Sequence, residues 1–297
     1  LASHQPDVAL NQYDSLYLPR STYWTGDLYT HELGFGQDGL WVVNTRFSCL
    51  AHLSLDFSFI PRWYPAFISE IAPDDRCHLN GLAMVDHQPK YVTALGATNQ
   101  PNGWRSGKST GGVLIDVETD QIIKQGLSMP HSPRWHQNKL WLLNSGTGEL
   151  WCLDPQTWEH QVVCRLPGFG RGLGLVGNYA VIGLSQFRDR TPQFGVTPGT
   201  DLPILAQSDR LICGIAIVDL QTGQQIGRLE FPTGCQELFA VQFLPQVKQA
   251  NLLLPDHPTS QAAFTAPEFA YWLRSSQETS VAERSRQSPG DNPAKLN

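Results

Sequence analysis

Five times along this chain a short apolar strand, a Gly/Asn/Asp turn and a second apolar strand recur, and no other feature restricts the fold so sharply. The segments THELGFGQDGLWVVN, HLNGLAMVDHQPKYVTAL, HSPRWHQNKLWLLN, RGLGLVGNYAVIGL and QELFAVQFL align on the last large apolar residue of the first strand: Phe35, Met84, Trp135, Leu175 and Val241. Four residues before these anchors stand His31, Asn80, His131, Arg171 and Glu237. Strand side chains alternate between faces, so an offset of four places each polar residue on the face of its anchor, at the start of an equivalent strand. Units arranged radially aim that column at one shared axis.

A second repeat supports the first. Asp116-Val-Glu-Thr119, Asp154-Pro-Gln-Thr157 and Asp219-Leu-Gln-Thr222 each follow an apolar strand and precede another. An Asp carboxylate that accepts the amide two residues on closes an Asx turn, the chemistry of a hairpin between two outer strands. Each unit therefore reads as four antiparallel strands, the inner pair first and the D-x-x-T hairpin last. Repeated units of this kind predict an all-β propeller, six-bladed in its complete form, with five blades recognisable here. The column residues are spaced 80−31=49, 131−80=51, 171−131=40 and 237−171=66. A four-stranded blade needs about 40 residues, so the excess marks insertions. The longest, RDRTPQFGVTPGTDLPILAQSDRL from Arg188 to Leu211, is expected to be a surface excursion.

The pattern assigns residues 1–258 to the propeller and 259–297 to a tail, with a short helix at Ala266 to Ser275 followed by a polar, disordered stretch. At the other end, DSLYLPRSTYW reads as an outer strand with no inner strands before it. Residues 237–255 begin a unit that lacks its hairpin, so either the two ends complete one blade together or a blade is absent.

Composition narrows the partners. Of 297 residues 16% are charged and 41% hydrophobic, with 26 Gly and 21 Pro, which suits a packed body rich in turns. A formal net charge of −6 offers no positive field for a phosphate backbone, so nucleic acid is not an expected partner. No run reaches the roughly 18 apolar residues that span a bilayer, and the N-terminus LASHQPDVALNQYDS lacks basic and apolar signal regions, so a soluble, cytoplasmic protein is expected. The first residue is Leu, which leaves room for an upstream segment. Six cysteines (Cys49, Cys77, Cys152, Cys164, Cys213 and Cys235) contain no C-x-x-C pair. With the hairpin turn between Gln156 and Thr157, Cys152 faces Gln161 rather than Cys164, so free buried thiols are expected.

Some motifs match only formally. Gly172-Leu-Gly174-Leu-Val-Gly177 fits the dinucleotide fingerprint, but a strand rather than a helix N-terminus follows it. Gly107-Lys108-Ser109 likewise runs into a strand. Trp41, Trp141 and Trp151 suit packing between sheets, His136 suits a solvated turn, and Trp104 with Arg105 suits the mouth of the axis. The column carries more chemistry. His31, His131, Asn80 and Glu237 form a set able to hold a divalent metal, whereas Arg171 repels a metal and suits an anionic group. His78, two residues before Asn80, extends the set as a further ligand contact or a general base. The plain alternative is a polar plug whose members satisfy one another.

The segments CHLNGLAM, YVTALGATN, NGWR, GGVLIDV, GLSMPHSPRWH, LWLLNSGTGEL, LPGFGRGLGL, VIGLSQFRD and CGIAIVDLQTG together resemble an uncharacterised bacterial family of conserved hypothetical proteins, some fused to tetratricopeptide repeats. The resemblance covers Tyr13 to Pro255 and implies the propeller fold; members of that family usually carry about one further blade's worth of residues before the point matching DSLYLPR, and this sequence departs from them there. More distantly, HLNGLAM is similar to the P-N-G-[LI]-A segment of the gluconolactonase and regucalcin propellers. That likeness implies a metal ligand at Asn80, with Glu237 as the carboxylate.

Three functions fit these readings. The first is recognition of a small polar or anionic ligand, or a peptide end, in the central channel by His31, His78, Asn80, His131, Arg171 and Glu237. The second is a metal-dependent hydrolase or lactonase in which His78 or His131 moves the proton. The third is a scaffold that meets a protein partner through the Arg188 to Leu211 loop.

Overall fold

The computed structural model describes residues 13–186, 202–267 and 269–273. Two compact units divide the chain: Tyr23–Phe243, and Leu1–Thr22 with Leu244–Asn297. Strand β1 (Ser15–Tyr17) belongs to the second unit. The first unit holds four sheets in chain order: β2 (Thr30–Gly36), β3 (Gly39–Asn44), β4 (Cys49–His52) and β5 (Ile60–Trp63); β6 (Leu79–Val85), β7 (Gln88–Ala94), β8 (Gly112–Asp116) and β9 (Gln121–Leu127); β10 (Pro130–His136), β11 (Lys139–Asn144), β12 (Glu149–Leu153) and β13 (His160–Arg165); β14 (Phe169–Val176), β15 (Tyr179–Ser185), β16 (Gly214–Asp219) and β17 (Gln225–Glu230). Each sheet is antiparallel and its strands lie in sequence order, the arrangement of propeller blades.

The hairpins follow from the D-x-x-T chemistry. Asp116 Oδ1 accepts the amides of Glu118 and Thr119 at 2.9 and 3.1 Å, Asp154 Oδ1 that of Gln156 at 2.9 Å, and Asp219 Oδ1 those of Gln221 and Thr222 at 2.8 and 3.1 Å. Cys152 pairs across the ladder with Gln161, as the turn position requires. All six cysteines are free.

The sheets stack face against face, which explains strands that are apolar at every position. Along β11, Leu140 and Leu142 join Tyr91, Leu114 and Trp151 in the core shared with the β6–β9 sheet. Trp141 and Leu143, on the opposite face, join Leu173, Ile182 and Ala216 in the core shared with the β14–β17 sheet. Trp41, Leu50, Leu79 and Val92 fill the space between the first two sheets. Trp41, Trp141 and Trp151 are packing residues, each under one-tenth exposed.

The fifth repeat, QELFAVQFL, forms no ladder but lies against the fourth sheet. A Cβ at Gly172 would stand 2.7 Å from the backbone of Ala240 and Val241, and one at Gly183 would meet Val241 Cγ2 at 3.1 Å and Leu238 Cβ at 3.2 Å. The false dinucleotide motif therefore has a packing role: Gly172 and Gly174 leave a smooth sheet face on which that segment rests. Leu238 N–H also donates to Ser185 Oγ at 3.1 Å.

In the second unit β1 pairs in parallel with β18 (Ala250–Leu252), Ser15 facing Ala250. An early and a late segment thus pair, though as a two-stranded parallel ladder and not as a four-stranded blade. Among the described residues the helix expected at Ala266 to Ser275 is replaced by extended chain. A single helical turn, α1 (Pro258–Gln261), precedes a hairpin of β19 (Ala263–Ala266) and β20 (Phe269–Trp272). Pro267 interrupts a helix, and the Phe, Thr, Tyr and Trp around it favour extended backbone. Residues 274–297 lie outside the described residues, as do 187–201 of the long insertion. The described remainder of that insertion is not a surface excursion. A 3₁₀ helix, Pro203–Arg210, is anchored by buried Leu202, Ile204 and Leu211, which pack with Met129 and Phe169. Among the described residues no helix is long and apolar enough to cross a membrane.

Candidate functional site

Each inner strand pair is broken by a β-bulge at its start. The register shifts between Thr30 and Leu33, Leu79 and Gly81, His131 and Arg134, and Gly170 and Gly172. One extra residue reverses the alternation, so the column does not share a face with its anchors as expected. His131 faces Leu143 and Arg134 faces Trp141, so Arg134 shares the face of His131 and Trp135 does not. Phe35, four residues after half-buried His31, is 78% exposed. Tyr29, His78 and Met129, each two residues before a column position, have φ of 51°, 51° and 46°. This left-handed kink turns the chain at the strand start and is unusual for residues with a Cβ.

The kink gives two histidines the same setting. His31 Nδ1 lies 2.8 Å from Tyr29 O, and His131 Nδ1 lies 2.9 Å from Met129 O. A carbonyl only accepts, so each Nδ1 carries the proton and each Nε2 presents a lone pair. The adjacent hydroxyls tie sheet to sheet: Thr45 Oγ1 donates to Leu79 O and Ser145 Oγ to Gly170 O, both at 2.5 Å. Among the described residues His31 Nε2 is buried without a hydrogen-bond partner. Burial, then the charges of His78 and Arg171, push the His31 pKa down to about 3. Burial, followed by Arg171, holds His131 well below the usual imidazole range. Both rings are neutral acceptors at physiological pH.

Arg171 forms an ion pair with Glu237, and its guanidinium carbon sits 4.0 Å from the centroid of the Phe239 ring. The same Phe239 lies edge-on to His31, centroids 6.4 Å apart. His31, His131, Arg171 and Glu237 are thus brought together, as the repeat predicts, although the fifth segment supplies its carboxylate without a strand. Asn80 is in place but engaged at both ends: its Nδ2 donates to Pro130 O at 2.9 Å, and its Oδ1 accepts from Thr93 Oγ1 at 2.8 Å. It joins sheets. Among the described residues no group of three or more His, Cys, Asp or Glu side chains is arranged to hold a metal ion.

His78 stands beside the cluster, its ring 4.7 Å from that of His31. Its Nδ1 meets both carboxylate oxygens of buried Asp75, at 3.0 and 2.9 Å, and Trp104 Nε1 donates to Asp75 Oδ2 at 3.1 Å. Trp104 is buried with its ring 4.2 Å from that of His78, so it backs the site instead of lining its mouth. Nor is His136 merely solvated, since its Nε2 lies 2.7 Å from Gly177 O.

Two further residues escaped the repeat. One step along the strands Arg134 crosses the axis. Its Nη2 donates to Glu32 Oε2 at 2.8 Å, its Nε to Leu173 O at 3.0 Å and its Nη1 to Leu82 O at 3.3 Å. One side chain from the third sheet thereby touches the other three. Arg134 with Glu32 thus forms a polar crossing between the sheets, beside the column residues. An arginine three residues after a column histidine was the available signal; strict alternation hid it.

Successive four-stranded sheets, stacked face to face with their inner strands at one polar cluster, define a β-propeller fold with a candidate ligand site. Residues 2–253 match the family described as a domain of unknown function, DUF4915, and the chain belongs to that family. No curated protein matches it. Similar solved structures include the computationally designed Ika8 protein, at 14% identity and TM-score 0.40, covering 72% of this chain and 52% of that one. The β-propeller domain of Myceliophteria thermophila Cps50 (Swd1) matches at 7% identity and TM-score 0.41, over 72% and 58%. Myxococcus xanthus glutaminyl cyclase matches at 12% identity and TM-score 0.40, over 72% and 75%. The chain spans about half the length of the first of these structures.

Proposed function

We propose that this protein recognises a small hydroxylated anion, a carboxylate or phosphate, at the mouth of the axis. The observation that supports this reading is Arg171, seated on Phe239 and paired with Glu237, in one cluster with His31, whose buried Nε2 has no hydrogen-bond donor among the described residues. A guanidinium takes the anionic group, and the imidazoles accept from a hydroxyl or N–H. Malate and glycerol 3-phosphate are expected to raise the melting temperature more than succinate, by the linkage that gives about 2.7 kcal/mol at a hundredfold excess over Kd. Arg171→Gln, checked by circular dichroism for retained fold, is expected to abolish the rise, and exposed Arg228→Gln to keep it. An equal rise in Arg171→Gln would refute the reading.

The Asp75–His78 pair favours a second reading, acid–base catalysis on the bound anion. A carboxylate that fixes the Nδ1 of a histidine orients its Nε2 for proton transfer. A hydrolase would run through His78 rather than a metal held by Asn80, whose amide is engaged. Under this reading His78→Gln keeps the anion-induced rise in melting temperature but loses turnover; turnover unchanged in that variant would exclude the role.

A further inference from the structure

Beside Glu237 lies a pair of thiols, Cys213 and Cys235. After β17 the chain leaves the rim and returns to the axis, with Phe231 N–H donating to Cys213 O at 2.9 Å and Gln186 N–H to Gln236 O at 3.0 Å. This return passes the start of β16, where Cys213 is 1% exposed. There Cys213 Sγ and Cys235 Sγ stand 3.7 Å apart, and Cys235 Sγ lies 3.3 Å from the carbonyl of Glu237. Cys235, half-buried, is the more accessible of the two.

We propose that Cys213 and Cys235 form a reversible oxidative modification site, closed to a disulfide by a hydroperoxide and reopened by a small thiol. The Cys235 thiolate attacks the peroxide oxygen, breaking the O–O bond, releasing an alcohol or water and becoming a sulfenic acid. Cys213 sulfur then attacks the sulfenic sulfur, the S–S bond forms and water leaves. Two thiols have lost two hydrogens and two electrons, and the peroxide has gained them. Thiol–disulfide exchange reverses the step. Burial, then Cys235 and the Glu237 carboxylate, push the Cys213 thiol up to about 11, which suits it to the resolving role, formed only once its neighbour is oxidised. Closure tethers the returning segment, and with it Glu237 and Phe239, to the fourth sheet. Disulfides in reducing compartments are characteristically of this transient kind.

The test is one equivalent of hydrogen peroxide on the full chain, followed by intact mass and peptide mapping without reductant. The expected product has lost about 2 Da, carries a Cys213–Cys235 crosslink, leaves the other four thiols free and returns to the starting mass with dithiothreitol. In Cys213→Ser the sulfenic acid at Cys235 should persist and be captured by dimedone; in Cys235→Ser no sulfenic acid should form. First oxidation at any other cysteine, or sulfinic acid at Cys235 of the wild-type chain without a crosslink, overturns the proposal. The wild-type measurement stands alone should a variant fail to fold, and it is independent of ligand binding.

Discussion

Arg134→Met will lower the unfolding free energy by about 3–5 kcal/mol, the largest effect expected of any polar substitution in this protein. Methionine keeps much of the stem volume but removes every donor. Leu82 O and Leu173 O lose their partners, and Glu32, whose side chain is 14% exposed, loses its counterion. Each buried acceptor left unsatisfied costs about 1–3 kcal/mol, and the stranded carboxylate adds to that. Urea unfolding followed by fluorescence reads the change. Arg228→Met, whose side chain is 49% exposed in its pair with the 43% exposed Glu230, serves as the control and should stay within about 0.5 kcal/mol. A loss below about 1 kcal/mol for Arg134→Met would mean that the four sheets do not depend on this crossing.

Stability will fall steeply as the medium becomes acidic. In the folded protein His31 and His131 resist protonation, whereas in the unfolded chain each titrates near the ordinary imidazole value of about 6.5. Below that value the unfolded state binds more protons, so stability is complete above about pH 6.5 and declines as pH falls toward the folded-state values, about 3 for His31. The slope is about 1.4 kcal/mol per pH unit for each histidine. Between pH 7.5 and 5.5 the pair together contributes a loss of roughly 3 kcal/mol. Urea midpoints at the two pH values should differ strongly in the wild type and much less in a His31→Gln, His131→Gln double variant, with exposed His87→Gln unchanged. A double variant as sensitive to acid as the wild type would show that other groups govern the decline.

Much of the first compact unit is legible in the residues. The D-x-x-T hairpins, the partner of Cys152 and the tryptophans between sheets all follow from patterns within a dozen residues, because an Asx turn and a two-residue period are local properties. The convergence of His31, His131, Arg171 and Glu237 was legible too, since a repeat that recurs in sequence recurs around an axis. Asp75 was not, because its role depends on a left-handed kink at His78 and an indole 29 residues away at Trp104.

The sequence by itself therefore determined the repeating four-stranded unit and the address of the site. Tertiary structure decided which way the side chains at that address point. One bulge per inner strand adds a residue and inverts every face beyond it, a change of register that composition and spacing do not record. Arg134 thereby reaches the axis, Asn80 becomes a tie between sheets, and the fifth segment supplies Glu237 while resting on the glycines of the fourth sheet. Each outcome depends on groups distant in the sequence, which meet these residues only in the folded chain.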